Sequence, residues 1–133
     1  MARVSIIRLR IRSLLFEFPF VWHAVRSQMQ AKRADGCLAM DLRRTAGAVY
    51  WTMTVWRDNA AMRAFMLSGA HRKAMPKLAS WCDEASLTHW QQDGDGLPTW
   101  AEAEERLGRE GRTSLVANPS PAHLAGQTLG SAG

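Results

Sequence analysis

Residues 4–13 alternate between apolar and basic positions. Ile7, Leu9 and Ile11 share one side, while Arg8, Arg10 and Arg12 share the other with Val4 and Ile6. That spacing predicts a strand with one apolar face and one mixed face. The period then changes to that of a helix, with Phe18, Val21, Trp22, Val25 and Met29 as its apolar stripe and Arg26, Gln30 and Arg33 facing away. Pro19 fits the first turn of such a helix and Gly36 its end. Residues 37–44 and 48–56 read as two strands around Thr45-Ala46-Gly47, a link short enough for an antiparallel hairpin. In the second of them Trp51, Met53 and Val55 share one face, and Tyr50, Thr52, Thr54 and Trp56 the other. Asp58 is placed to cap a helix carrying Met62, Phe65 and Met66. Gly69 interrupts it, and a further helical stretch over 70–82 carries Met75 and Leu78 with Pro76 as a kink or restart. Residues 85–91 predict the last strand. Thr99 and Glu102 form a capping box ahead of a short helix with Trp100, Ala103 and Leu107 on one face.

The order β-α-β-β-α-β is that of the ferredoxin-like split βαβ arrangement, an α+β fold with a four-stranded antiparallel sheet. Its helices cover one face of the sheet. The 48–56 strand carries large aromatics on both faces, so the second face is expected to be buried against a twin subunit in a homodimer. Residues 1–112 then form one domain. Residues 113–133, uncharged and rich in Pro, Ser, Gly and Ala from about Asn118, are expected as a flexible, disordered tail.

Composition narrows the function. The 133 residues are 47% hydrophobic with only two cysteines, which fits one ordinary domain and excludes a disulfide-stapled one. Cys37 and Cys82 are expected to be reduced in the cytoplasm and to pack rather than react. Leu14 to Val25 is too short an apolar run to span a bilayer, and basic residues interleaved with apolar ones do not read as a secretory signal. Net charge is +5, distributed as +6 over residues 1–33, +4 over 34–80 and −5 over 81–112. The arginines form no single block and no nucleic-acid motif is present, so nucleic acid is disfavoured as a partner. No metal-ligand cluster, phosphate loop or nucleophile elbow occurs.

Several residues nevertheless suit a small-molecule site. Tyr50, Thr52 and Thr54 form a row of hydroxyls beside Trp56. Arg8 and Arg10 either make an anion-selective pocket or are salt-bridged, with Asp41 as the expected partner. His89 and Trp90 sit side by side on the last strand, and Leu87 on the same side as His89 points His89 toward the helices. His71, just after the break at Gly69, is either an acid–base group or metal ligand, or a cap on local backbone. His23 falls on the polar side of the first helix and is expected in solvent, while Trp22, Trp51 and Trp81 are expected in the core.

The run TMTVWRDNAAMRAFMLSGAHRKAMPKL (52–78) resembles the dimeric α+β barrel superfamily. It is similar to antibiotic-biosynthesis-monooxygenase-like proteins, and to their spheroidene-monooxygenase-like branch. The likeness covers about residues 3–92 and lies in Thr54-Val55-Trp56 ending a strand, Asp58 as an acidic cap, and a helix ending in Ser68-Gly69-Ala70-His71. It implies two sheets packed as a dimeric barrel and a pocket bordered by Trp56. Members include cofactor-free oxygenases and haem-using enzymes. The haem-degrading relatives bind iron through a histidine on the helical segment after the third strand. Met75 stands at about that place here, with His71 one turn earlier, so a haem would need His71 or another ligand. A cofactor-free oxygenase needs a dry pocket and a base, which assigns His71 as the base and Arg8, Arg10, Tyr50, Thr52, Thr54, Trp56 and His89 as pocket residues. The cofactor is thus either none or haem, and the substrate an apolar or aromatic small molecule. The alternative is a non-catalytic dimeric protein that binds a ligand or serves in assembly.

Overall fold

The alternating N-terminal segment forms β1 (Ala2–Ile11) at the centre of the sheet. The computed structural model describes residues 1–130, with the side chains of Ala70 and His71 outside the described set. Ser13 caps α1 (Leu14–Arg33), its hydroxyl accepting from the Leu15 amide. The helix therefore starts five residues before Pro19, which lies in the second turn. The hairpin strands are β2 (Cys37–Thr45) and β3 (Val49–Trp56). Asp58 caps α2 (Asn59–Met66) through the Ala61 amide, and α3 (Gly69–Trp81) follows after the break. The chain passes directly into β4 (Cys82–Gln92). Thr99 accepts from the Glu102 amide to start α4 (Trp100–Glu110), whose pairs Arg106–Glu102 and Arg109–Glu105 close at 3.3 and 2.9 Å.

The sheet order is β2-β3-β1-β4, with a fifth, two-residue strand β5 (Arg112–Thr113) added at the β4 edge. All pairings are antiparallel. This is the expected ferredoxin-like α+β order, with five strands in place of four.

Two expectations about its covering change. The second sheet face is not bare: α4 lies across it, and Ala103 and Leu107 are buried with Val4, Ile6, Trp51, Met53, Val55 and Trp90, while Trp100 packs at the margin. One helix with three apolar positions at helical spacing supplies from within the chain the cover first assigned to a twin subunit. The α1 stripe is also reversed. Phe18, Trp22, Val25 and Met29 are exposed, and Phe20 and Ala31 are buried. Small Ala24, Ser27 and Ala31 occupy the side of the helix that faces the sheet, and the bulky residues are left outside. Of the three tryptophans expected in the core, Trp51 is buried, Trp81 packs partly buried beside Leu9 and Phe20, and Trp22 is 59% exposed.

The C-terminal segment read as a tail makes specific contacts with the sheet. The reason is a buried charge. Arg8, on the α4 face of β1, donates to Glu84 Oε1 at 2.9 Å, and both side chains are almost wholly buried. Glu84 Oε2 accepts from Arg10 at 3.2 Å and from the Ser120 hydroxyl at 2.7 Å. Ser120 opens a single helical turn, α5 (Pro121–Leu124). Further along, the Thr128 carbonyl accepts from the Ser86 hydroxyl at 2.6 Å, and the Thr128 hydroxyl donates to the Leu107 carbonyl at 2.8 Å. Gly130 has φ +68° and lies so close to Glu84 and the Arg8 guanidinium that a Cβ would overlap both. Residues 114–130 thus add polar partners that composition alone does not show.

Two variants test this closure. Ending the chain after Asn118 removes the Ser120 and Thr128 bonds to buried groups and should cost about 2–3 kcal/mol, a fall in Tm on the order of 10 °C. Glu84→Ala leaves the Arg8 guanidinium buried without its carboxylate and should cost about 3–5 kcal/mol. Thermal unfolding that is unchanged in the truncated chain would show that the segment holds nothing.

Candidate ligand pocket

Because side chains alternate along a strand, the residues of β1 and β3 that do not face α4 face the helices. Between them lies a cavity of about 120 Å³. Its floor is a set of registered strand positions. Thr54 pairs with Ser5 on one side and Met40 on the other, and Thr52 with Ile7 and Leu42; all six line the cavity, with Leu9 further along β1 and Trp56 at the end of β3. The roof comes from α1 through Phe20, His23, Ala24, Ser27, Gln28 and Ala31, from α2 through Met62, Phe65 and Met66, and from α3 through Ala74 and Leu78. Trp56 is fully buried and stacks on Phe65 at 5.1 Å with 30° between the rings.

Among the described residues no Asp, Glu, Lys or Arg side chain lines this space. Its polar groups are the hydroxyls of Ser5, Thr52, Thr54 and Ser27, the Gln28 amide and the His23 imidazole. His23 lies 3.4 Å from Lys77 Nζ and packs on the Trp81 ring at 5.5 Å. Burial first, then the positive charges of Lys77 and Arg26, holds its pKa below the ordinary imidazole value. The ring is therefore held toward its neutral form, and its Nε2 lone pair faces the Lys77 ammonium, which can only donate to it.

Of the residues picked from sequence, the structure brings Thr52, Thr54 and Trp56 together at the cavity. Tyr50 faces the same side but is used otherwise. Its hydroxyl donates to Glu17 Oε1 at 2.6 Å, and Arg44 donates to the same carboxylate oxygen at 2.9 Å. These bonds from Tyr50 and Arg44 hold the Glu17 carboxyl below its usual range, while burial, then Glu17, pushes the Tyr50 phenol up. The cluster ties the first turn of α1 to the hairpin. Arg8 and Arg10 point to the opposite face and make no anion pocket there. They are salt-bridged to Glu84, not to Asp41, because β4 places Glu84 opposite Arg10 in the ladder. Asp41 instead accepts from Trp100 Nε1 at 3.1 Å. His89 lies opposite Ser5 but is exposed at the sheet's edge against Arg3, outside the cavity. Burial and Arg3 lower its pKa. The side chain of His71 falls outside the described residues; its backbone lies in the first turn of α3.

His23 is the pocket residue that the sequence reading placed in solvent. The signal for it lies in the run Ala24, Ser27 and Ala31, small residues at helical spacing that mark the side of α1 nearest the sheet. Cys82 is buried with its thiol pushed up to about 12, by burial and then by Asp83, so it packs as a neutral group. The cavity does not fit a haem. An apolar cavity of about 150 Å³ accepts one benzene ring, and a tetrapyrrole is several times larger. Met75 is exposed on α3 and does not line the space. Among the described residues no group of three His, Cys, Asp or Glu side chains is placed to hold a metal ion.

The sequence profile of one family, described as Domain of unknown function (DUF3291), matches residues 18–114. The chain belongs to this family. The matched residues run from α1 through β5, so the DUF3291 domain contains the whole pocket roof and the β2 and β3 floor. No curated protein matches the chain. In three dimensions it is similar to Rv0793 from Mycobacterium tuberculosis, at 14% identity and a TM-score of 0.64 over 72% of this chain and 99% of the other. A variant of SnoaB, a cofactor-independent oxygenase from Streptomyces nogalater, superposes at 16% identity and a TM-score of 0.60 over 74% and 98%. A conserved protein from Methanosarcina mazei Go1 does so at 11% identity and 0.63 over 70% and 94%. An antibiotic biosynthesis monooxygenase also shares the fold, at 14% identity and 0.62 over 71% of this chain and all of the other. DUF3291 thus shares the ferredoxin-like fold of the antibiotic-biosynthesis-monooxygenase-like proteins.

The lowered pKa of His23 has a measurable consequence. Below about pH 6.5 the unfolded chain holds a proton that folded His23 refuses, so stability should fall as pH drops through that value. His89 contributes in the same direction. Urea unfolding compared between about pH 7.5 and pH 5.5 should show a smaller acid loss in His23→Gln than in the parent chain. An equal loss would place His23 in water rather than in the pocket wall.

Proposed function

We propose that this DUF3291 protein is a small-molecule-binding, monooxygenase-like protein whose cavity between sheet and helices takes an uncharged, apolar or aromatic molecule. The observation that carries this reading is the lining: apolar and aromatic walls, no charged side chain among the described residues, and hydroxyls of Ser5, Thr52 and Thr54 on one floor. A charged ligand there would lose its hydration without a partner. A neutral ring with a single oxygen or nitrogen would bury its apolar surface and keep one hydrogen bond. The volume matches about one ring.

The fold neighbours named as oxygenases support a cofactor-free oxidation. The chemistry asks for a substrate with an acidic C–H bond and a base in a space that excludes water. Removal of the proton leaves a carbanion that dioxygen can oxidise. In the overall change a methylene and dioxygen become a ketone and water. The base in this reading is a histidine carried by α1 or α3. His71, in the first turn of the helix that supplies Ala74 and Leu78, is one candidate, and neutral His23 is the other. The homodimer implied by the family resemblance belongs to the same proposal, and light scattering reads it directly.

Benzyl alcohol as a neutral one-ring ligand should bind and raise Tm in proportion to its saturation, while benzoate, similar in size with a charge, should not. Thr52→Val and Thr54→Val together should weaken benzyl alcohol about tenfold, the worth of one hydrogen bond. Equal binding of benzyl alcohol and benzoate would overturn the uncharged-ligand reading. Oxygen uptake with neutral one-ring ketones bearing acidic C–H bonds tests catalysis. Turnover should fall on the order of 100-fold in either His71→Ala or His23→Gln. Benzyl alcohol binding without any oxygen uptake from the ketones would leave a ligand-binding protein and overturn the oxygenase reading.

A further inference from the structure

The outer side of α1 departs from ordinary surface chemistry. At 100° per residue, Leu14, Phe18, Trp22, Val25 and Met29 fall within an arc of about 80° that runs about 22 Å along the helix. Phe18 is 82% exposed, Leu14 81% and Trp22 59%. The opposite arc, with Phe20, Ala24 and Ala31, meets the sheet and the cavity. The helix is therefore apolar on both sides, and only the inner one is covered by this chain.

The charges beside the ridge have one sign. Arg26, Lys32 and Arg33 on α1, and Arg72, Lys73 and Lys77 on the adjoining α3, are exposed. The one acidic residue of these two helices is Glu17, which is engaged by Tyr50 and Arg44. A second copy of this chain is a poor occupant, because it would bring a like-charged surface against this one. An anionic occupant is complementary. An apolar ridge with Trp and Phe, bordered by Lys and Arg, is the pattern of a helix lying in the interface of an anionic bilayer. No helix among the described residues is long and apolar enough to cross a membrane, so the contact is with the surface.

We infer that the outer face of α1, with the basic residues of α3 beside it, docks the protein on anionic lipid bilayers. The helix lies parallel to the surface, Phe18 and Trp22 enter the headgroup boundary, and the six cations meet lipid phosphates and carboxylates. The docking does not depend on what the cavity binds.

Vesicle flotation with the full chain tests it. Vesicles of phosphatidylcholine with about 30 mol% phosphatidylserine should bind at least about tenfold more protein than phosphatidylcholine alone, and the difference should shrink at about 0.5 M salt. Phe18→Ser combined with Trp22→Ser should lower the partition by about tenfold or more at unchanged Tm, since both side chains are exposed. Arg26→Glu with Lys32→Glu and Arg33→Glu should lower it on phosphatidylserine vesicles by a similar factor, about tenfold. Equal partition into both vesicle types, no binding to either, or binding that neither variant weakens would overturn the inference. So would a dimer in light scattering that the Phe18→Ser, Trp22→Ser variant dissociates, which would assign the ridge to a second copy.

Discussion

A central strand that carries apolar side chains on both faces has to be covered twice. β1 lies between β3 and β4 and sets this constraint for the molecule: Val4 and Ile6 point one way, Ile7 and Leu9 the other. The two covers differ in character. On one side α4 settles directly onto the sheet and fills the space with Leu107 and Ala103. On the other, α1, α2 and α3 bridge over shorter side chains, Ser5, Thr52 and Thr54, and a cavity remains. The difference between core and pocket is thus written into the size of alternate residues on the same two strands.

The same alternation places Arg8 on the packed face, where a lone guanidinium would be costly. Glu84, Arg10 and Ser120 close around it. Such a cluster adds little net stability over apolar packing of the same volume, but removal of one member is expensive. It fixes the register of β1 against β4 and draws the C-terminal segment across the sheet end.

Much of this was legible in the sequence. The strand alternation of residues 4–13, the Asp58 and Thr99 caps and the β-α-β-β-α-β order fix the fold, because each is a local signal. Thr52, Thr54 and Trp56 could be assigned to one face by parity alone. What parity does not reveal is which face receives which cover. For that reason Arg8 and Arg10 read equally as pocket or ion pair, and the apolar face of α4 carries no mark of the sheet face it covers. In α1 the larger apolar stripe lies outside, and the side toward the sheet carries small Ala24, Ser27 and Ala31, which side-chain bulk does not mark. The C-terminal segment misled for a related reason: it contributes single hydroxyls and carbonyls to buried groups, and composition weighs bulk.

The position of Ser120 in the chain also sets an order of events. Every strand and helix of the sheet and its two covers is made before Ser120 leaves the ribosome. Until then Glu84 has Arg8 and Arg10 without the hydroxyl, and Ser86 lacks the Thr128 carbonyl. The nascent domain can take up its topology early, as domains commonly do during synthesis, yet it reaches its final stability late. In that interval the β4 edge and the end of the α4 layer are open, which makes it the stage at which a chaperone has most to hold and a protease most to cut.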